Sequence, residues 1–407
     1  MVRRVAGFVA YLLATVATVA AVAESCTPFE EEGARPDTTP DAAEDAAPFV
    51  PSDSSLAADS GDSGLGALRA TCPVSRAPSC EIFNCPEVVV YAPAMRRLAR
   101  GLATDASHIY WLEAENGGET TPARVLRARK GVANGAAAEV LATGQIDATT
   151  LVLDGDYVYW TSRPPVDGGG VRATINRVRR ACAASGCGEP VAVAELGNTD
   201  IQFLGRPAPG VLFFVSAFDG RARRYAVTSA GLTATPPIDM AKFYPSTVVT
   251  DQHLYASSTM AGSVVQLAVN GVDLNTSYFP AEGGGRTGFE ALGTDCVDLI
   301  GNRDEPPQVG GGGKKTLERL TTSTMEPTVL ASMTFNVRQI VADGANIYFN
   351  SKDLPSGLWM VSATTADGGA PRQVIASEVT AIAVDDDGLY WSDGSSSSGG
   401  RIHMRLK

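Results

Sequence analysis

The sequence predicts an all-β fold: a seven-bladed β-propeller of four-stranded sheets, closed by a strand from the N-terminal side, with six blades as the lesser option. Three observations predict it. A turn-and-aromatic motif recurs with a period in the forties. Each repeat contains short runs with the alternation of strands. The last repeat stops one strand short, while an unassigned strand stands ahead of the first. Composition agrees, since 42 of the 407 residues are Gly and only 19% are charged, against the roughly 7% and 25% usual for globular chains. Frequent Gly suits many tight turns and argues against a helical bundle.

The motif is Ala103-Thr-Asp105-Ala-Ser-His-Ile-Tyr110-Trp111. It returns as Val152-Leu-Asp154-Gly-Asp-Tyr-Val-Tyr159-Trp160, as Val249-Thr-Asp251-Gln-His-Leu-Tyr255, as Val341-Ala-Asp343-Gly-Ala-Asn-Ile-Tyr348-Phe349 and as Ala383-Val-Asp385-Asp-Asp-Gly-Leu-Tyr390-Trp391. Degenerate copies at Pro209–Phe214 and Gly293–Leu299 place the key position at 110, 159, 213, 255, 299, 348 and 390. The spacings of 49, 54, 42, 44, 49 and 42 fit four-stranded blades. An apolar run precedes each Asp turn, an alternating stretch such as Gly262–Val269 follows the aromatic strand, and a fourth run such as Pro327–Ala331 completes the unit.

The seventh repeat ends with its third strand near Gly400–Leu406. Glu87-Val-Val-Val-Tyr91 supplies the missing one, which leaves no open edge between the first and last blades. The propeller domain is placed at 72–407.

Two segments precede it. Residues 1–25 read as an export signal, with Arg3 and Arg4 ahead of the apolar run Val5–Val22 and the small-x-small site Ala21-Val22-Ala23. Retention of that run as a membrane anchor is the lesser reading. Residues 26–71 hold 10 Asp/Glu and 2 Arg with few core-forming side chains, the composition of a disordered acidic tether. Most of the net charge of −12 therefore belongs to the tether. No clustered basic footprint suggests nucleic acid as a partner.

Seven cysteines stand at 26, 72, 80, 85, 182, 187 and 296. Val22-Ala23-Glu24-Ser25-Cys26 resembles a bacterial lipobox, in which the cysteine is lipidated. Simple secretion is the alternative, and an exported location, at the outer membrane or cell surface or else periplasmic or secreted, holds on either. Six cysteines remain, an even number suited to an oxidising compartment. Cys182 and Cys187 would staple a hairpin; Cys72, Cys80, Cys85 and Cys296 would form two more bonds in an undetermined pairing. The three histidines, His108, His253 and His403, are too scattered for a zinc knuckle.

Tyr159-Trp-Thr-Ser162 and Tyr390-Trp-Ser-Asp393 resemble the YWTD repeat of low-density-lipoprotein-receptor-type propellers, and the whole body resembles uncharacterised propeller lipoproteins and secreted propellers of bacteria. The resemblance implies a binding or scaffolding role, with ligands on the face bearing the loops between second and third strands. Those loops offer Glu113, Glu115, Arg163, Asp219, Arg303, Asp304, Lys352 and Asp353 as candidate ligand-binding residues. The repeated Asp reads as a turn-former. The repeated Tyr and Trp read as packing between blades rather than as a carbohydrate platform. Asp385-Asp386-Asp387 lacks the loop that calcium requires, and Gly310–Lys315 lacks the strand-and-helix setting of a phosphate cradle. No nucleophile elbow occurs.

The expected function is therefore a non-enzymatic envelope propeller that binds an envelope protein, a peptide or a glycan on its loop face. It would have no cofactor or metal, touch the membrane through a lipid anchor only, and act as a monomer. A secreted lyase or hydrolase using loop carboxylates is the alternative.

Overall fold

A computed structural model of the chain describes residues 85–93, 97–115, 122–131, 138–166, 170–182, 187–197, 201–216, 221–228, 231–234, 238–239, 246–250, 253–258, 263–268, 274–275, 289–295, 298–304, 314–321, 327–351, 353, 355–364, 370–394 and 400–407. The signal segment, the tether, Cys26, Cys72, Cys80, Cys296, Asp219 and Lys352 lie outside the described residues. Among the described residues every regular element is a strand, and no helix is long and apolar enough to cross a membrane.

The described strands form seven larger antiparallel sheets, taken here in chain order, and one two-stranded ribbon, Pro165–Val166 with Gly170–Val171. Sheet 1 contains Arg97–Thr104, His108–Glu115, Pro122–Arg129 and Glu139–Ile146. Sheet 2 contains Leu151–Asp154, Tyr157–Ser162, Ala173–Arg179 and Val191–Gly197. Sheet 3 runs Ile201–Ala208, Val211–Ser216, Arg221–Thr228 and Gly231–Ala234, with Ile238–Asp239 also paired to its third strand. Sheet 4 is Ser246–Val249, His253–Ser258, Ser263–Ala268 and Leu274–Asn275. Sheet 5 is Phe289–Thr294, Leu299–Asp304, Lys315–Leu320 and Pro327–Met333. Sheet 6 is Val337–Ala342, Asn346–Ser351, Leu358–Ser362 and Arg372–Ile375. Sheet 7 takes Val379–Val384, Gly388–Asp393 and Ile402–Leu406 from the C-terminal end and Glu87–Tyr91 as its fourth strand.

Strand alternation explains why the aromatic pairs are buried. Successive side chains leave a strand on opposite faces, and both faces of these sheets are covered. In sheet 1, Ile109 and Trp111 pack with Tyr390, Ile402 and Met404 of sheet 7, whereas Tyr110 and Leu112 pack with Val158 and Trp160 of sheet 2. In sheet 6, Ile347 and Phe349 meet Ile300 and Leu317 of sheet 5, whereas Tyr348 meets Leu389 and Trp391 of sheet 7. Seven apolar clusters result, each shared by two neighbouring sheets. Each fully buried large side chain contributes about 2–3 kcal/mol, so the aromatic repeat marks the contacts between sheets.

First strands of successive sheets touch one another, and the first strand of sheet 7 touches that of sheet 1. Glu87–Tyr91 pairs with Ile402–Leu406, from Glu87 opposite Arg405 to Tyr91 opposite Ile402. From that strand the Tyr91 hydroxyl donates to Glu113 of sheet 1 at 2.9 Å, and its ring lies 5.0 Å from that of Trp111. Cys182 and Cys187 are joined in a disulfide after the third strand of sheet 2, and the buried Cys85 is disulfide-bonded as well.

Register corrects two assignments. Tyr110, Tyr159, Tyr348 and Tyr390 stand opposite Ala103, Val152, Val341 and Ala383; in sheet 5 the residue in that place, opposite Gly293, is Ile300 rather than Leu299. In sheet 4 Thr250 takes the turn position, its Oγ1 accepting the His253 N–H at 3.0 Å as the Asp does elsewhere, and Asp251 lies outside the described residues. Adjacent residues of like character, Leu299-Ile300 and Thr250-Asp251, hide such one-residue slips.

Candidate binding site at the mouth of the first strands

Each sheet has a turn end, where first joins second strand and third joins fourth, and a mouth end, where second joins third and the fourth leads on to the next sheet. At the turn end the repeated Asp is committed to structure. Asp105 accepts the N–H groups of Ser107 and His108 and the Tyr110 hydroxyl; Asp343 does the same for Ala345, Asn346 and Tyr348, and Asp385 for Asp387, Gly388 and Tyr390. These bonds hold the Asp105 carboxyl below its ordinary value although burial opposes them. Burial and the neighbouring carboxylate raise the Tyr348 and Tyr390 hydroxyls well above theirs.

Cations from neighbouring sheets complete these turns. Arg180 of sheet 2 reaches Asp105 at 3.1 Å, Arg206 of sheet 3 reaches Asp154 at 2.5 Å, and Lys407 of sheet 7 reaches Asp343 at 2.9 Å. Lys130 of sheet 1 reaches Asp385 of sheet 7 at 2.5 Å. Arg319 holds Asp295 within sheet 5 at 2.7 Å and also donates to the Ala363 carbonyl of sheet 6.

Nearer the mouth, neutral groups join the sheets. Two residues beyond the key position of the second strand stand Thr161, Ser257, Asn302, Asn350 and Ser392, every one buried. Ser257 donates to the Phe289 carbonyl, Asn302 accepts the Val337 N–H, and Asn350 donates to the Val379 carbonyl. Thr380, bonded to Ser392, donates to the Ala99 carbonyl at 3.0 Å. Each of these bonds runs from one sheet to the first strand of the next. The signal was present in the sequence as the polar residue after the aromatic pair, in Tyr-Trp-Thr, Tyr-Phe-Asn and Tyr-Trp-Ser, but it does not announce its partner in another sheet.

Beside those bonds the first strands bulge. Pairing skips one residue in sheets 5, 6 and 7, and the skipped residues are Glu290, Arg338 and Thr380, five positions ahead of Asp295, Asp343 and Asp385. In sheet 1 the irregularity falls one residue later, at Gly101 (φ +59°), and Arg100 holds the corresponding place. Bulges re-aim side chains at sheet rims and beside binding sites. Asn350 Oδ1 and Ser392 Oγ accept the N–H groups of Gln339 and Ala381 just past the bulges, so the irregularity leaves those donors satisfied.

Arg163 follows the second strand of sheet 2 and meets the carboxylate of Asp147, which Arg100 also approaches at 3.9 Å. Asp147, in the connection between sheets 1 and 2, is buried with φ +49°, a conformation that costs a non-Gly residue energy. Asp353 lies at the same end of sheet 6, exposed, and accepts from Asn336 at 2.6 Å.

The other sequence-derived candidates depart from the loops expected for them. Glu113 is a fully buried strand residue that accepts from Tyr91 and from Arg124 Nε at 3.0 Å. Arg303 is likewise buried within a strand, 3.6 Å from Glu318 and with its guanidinium 4.3 Å from the centre of the Phe289 ring. Glu115 and Asp304 close their strands rather than lying in loops. The strands continue past the aromatic pair further than the sequence pattern suggested, which carries the acidic and basic side chains into the sheets.

Among the described residues no group of three or more His, Cys, Asp and Glu could hold a metal ion. An open pocket of about 280 Å³ lies away from the mouth, lined by Leu330, Asn346, Met360, Val361, Ser362, Ala370 and Arg372.

No family model matches the sequence, and no curated protein matches it. The fold is similar to solved structures. Virginiamycin B lyase from Staphylococcus aureus, a catalytically inactive His-to-Ala variant with quinupristin, superposes with a TM-score of 0.54 at 12% identity, over 79% of this chain and 99% of that one. YCF48 from Cyanidioschyzon merolae gives 0.52 at 12%, over 79% and 98%. Sqt1 from Chaetomium thermophilum, bound to the N-terminus of ribosomal protein L10, gives 0.50 at 11%, over 79% and 91%. These are propeller-type proteins, and likeness at such identities establishes the fold alone.

Proposed function

We propose that the chain is an exported seven-bladed propeller, closed by Glu87–Tyr91 and held at the cell envelope through Cys26, that binds a protein, peptide or glycan at the mouth of its first strands. Ring closure is supported by the apolar cluster shared between sheets 7 and 1 and by the Tyr91–Glu113, Thr380–Ala99 and Lys130–Asp385 contacts. Export and lipidation rest on residues 1–26 and on the even count of remaining cysteines. The kinship with YWTD propellers rests on the Tyr159 and Tyr390 motifs.

One observation carries the binding role. At the mouth, the bonds that join sheet 4 to 5, 5 to 6, 6 to 7 and 7 to 1 run through neutral groups. Arg338 is exposed and takes part in no hydrogen bond or ion pair among the described residues.

The second reading is a lyase, favoured by the virginiamycin B lyase neighbour, whose described inactive variant lacks a histidine. Here His108 and His253 begin second strands at the turn end, and His403 is buried beneath Trp391. None stands on a bulge, and with three scattered histidines the binder is the better account. Incubating the purified chain with envelope extract and recovering what it retains tests this: unaltered captured material supports binding, and a cleaved product released with turnover overturns it in favour of the lyase.

A further inference from the structure

One corner of the mouth differs from the rest. Of the four tryptophans, Trp111, Trp160 and Trp391 are fully buried, whereas Trp359 of sheet 6 is half-buried. It is the second residue of its strand, just past the connection that carries Asp353, and the Phe335 ring lies 4.9 Å from its own. Gln373, exposed on the fourth strand, stands opposite it and donates to the Ser356 carbonyl at 3.1 Å. A Cβ at Gly357 would lie 3.4 Å from the indole nitrogen and 2.7 Å from the Gln373 amide nitrogen, so those two donors share one spot. Asn336 follows Phe335 and donates to Asp353 at 2.6 Å. Among the described residues the indole N–H of Trp359 and Oδ1 of Asn336 have no hydrogen-bond partner. An enclosed donor or acceptor left so costs about 1–3 kcal/mol, and the corner therefore holds unmet hydrogen-bonding capacity.

We propose that this corner, formed by Trp359, Asn336, Asp353 and Gln373, binds a sugar residue of an uncharged glycan. Indole offers a broad apolar face together with one N–H, which suits a sugar ring, apolar across its C–H face and edged with hydroxyls. Each hydroxyl both donates and accepts, so it can meet the indole N–H as well as the Asn336 oxygen. The planar carboxylate and amide of Asp353 and Gln373 can each take two neighbouring hydroxyls. The bordering charges give no reason for a charged ligand, since Arg338 stands against Asp353 and Glu378, all exposed. An extended peptide would instead seek a free strand edge or a charge of one sign, and the strand of Trp359 is paired on both sides. The proposal rests on the binding role given above and narrows it to a glycan.

The test uses the full chain and four probes: cellohexaose, chitohexaose, maltohexaose and envelope extract. Expected are binding of at least one hexasaccharide with a shift in tryptophan emission, and an affinity that is the same at low and high salt, since no ion pair forms. Asp353→Ala and Gln373→Ala, both exposed changes, should each weaken that binding at least fivefold with an unchanged melting temperature. Trp359→Ala should weaken it at least tenfold, and Trp359→Phe should keep more of the affinity while losing the emission shift. Arg129→Ala, an exposed change at the turn end, should leave affinity unaltered. Where no hexasaccharide binds, captured extract material that periodate destroys and that Asp353→Ala no longer retains upholds the corner. A glycan held equally by the parent and by Asp353→Ala overturns the corner. Captured material that protease destroys and periodate spares overturns the glycan and leaves the binding role standing. Capture of nothing by any probe overturns both readings, and so does turnover of a probe.

Discussion

At the turn end, Asp105, Asp154, Asp343 and Asp385 each hold a cation from a neighbouring sheet. At the mouth end sheets 4 and 5, 5 and 6, 6 and 7, and 7 and 1 are joined through Ser257, Asn302, Asn350 and Thr380, all uncharged. A structural charge requires an opposite charge held against it, so an end joined by ion pairs has its ionised groups already committed. An end joined by amides and hydroxyls keeps its sheets in register without drawing on the exposed Arg338. The division explains how one repeat can supply both rigidity and a ligand surface, and why the recurring Asp is the wrong place to look for function.

The largest expected effect breaks the turn end. Asp385→Ala removes the acceptor for two backbone N–H groups and the Tyr390 hydroxyl and takes from Lys130, whose side chain is 8% exposed, the nearer of its two carboxylates, leaving Asp387 at 3.2 Å. Loss of a mostly buried ion pair with its hydrogen bonds costs about 3 kcal/mol, readable in chemical denaturation. Asp343→Ala, which removes the carboxylate facing Lys407 and leaves that lysine its bond to the Asp385 carbonyl, should behave alike. A cost below about 0.5 kcal/mol, the range of ordinary surface changes, would show that the turn end is not the structural one.

Next in size is a neutral tie. Asn350→Ala leaves the Val379 carbonyl and the Gln339 N–H without their side-chain partner in a buried setting, a loss of about 2 kcal/mol. Because this tie has no ionisable partner, its cost should be the same at low and high salt. A salt-dependent cost would blur the distinction between the ends.

Smaller still is a pH effect at the closing strand. His403 stacks on Trp391 with ring centres 5.3 Å apart and meets Glu87 at 2.7 Å, with Arg405 on the other Glu87 oxygen and Asp393 and Arg401 nearby. Burial, which outweighs the attraction of Glu87, holds the imidazole below its ordinary value. The unfolded chain therefore binds its proton first, near pH 6.5, so this contribution to stability is complete above that pH and declines as pH falls toward the folded-state value. Melting temperature should fall between pH 7.5 and 5.5 in the parent and fall less in His403→Gln. An equal slope in both would remove His403 from the account.

Much of this was legible in the sequence because the fold repeats a local pattern. Alternation around Tyr-Trp gives the buried second strands, and Glu87–Tyr91 is conspicuous as a strand with no unit of its own. What stayed hidden depends on partners distant along the chain. Glu113 looks like a loop acid until Tyr91, 22 residues before it, and Arg124, 11 residues after, close on it. Arg303 looks exposed until the strand is seen to continue beside Phe289. The bulges leave no mark in composition, so Arg100, Arg338 and Thr380 were not singled out although their spacing from each Asp turn is constant.

The smallest expected effect on stability is the one that sharpens the comparison most. Arg338 stands on a bulge whose neighbouring N–H, that of Gln339, is satisfied by Asn350 rather than by the arginine. Replacing its side chain therefore removes no tie between sheets, and Arg338→Ala should shift unfolding by no more than about 0.5 kcal/mol. Arg180→Ala, at the turn end, removes the partner of Asp105 and the bond to the Gly155 carbonyl. Its pair is partly exposed, so it should cost about 1 kcal/mol. Two arginines changed in the same way would thus separate by position alone. Equal costs would mean that the mouth uses charge for structure after all, and that the guanidinium of Arg338 is no more available to a ligand than that of Arg180.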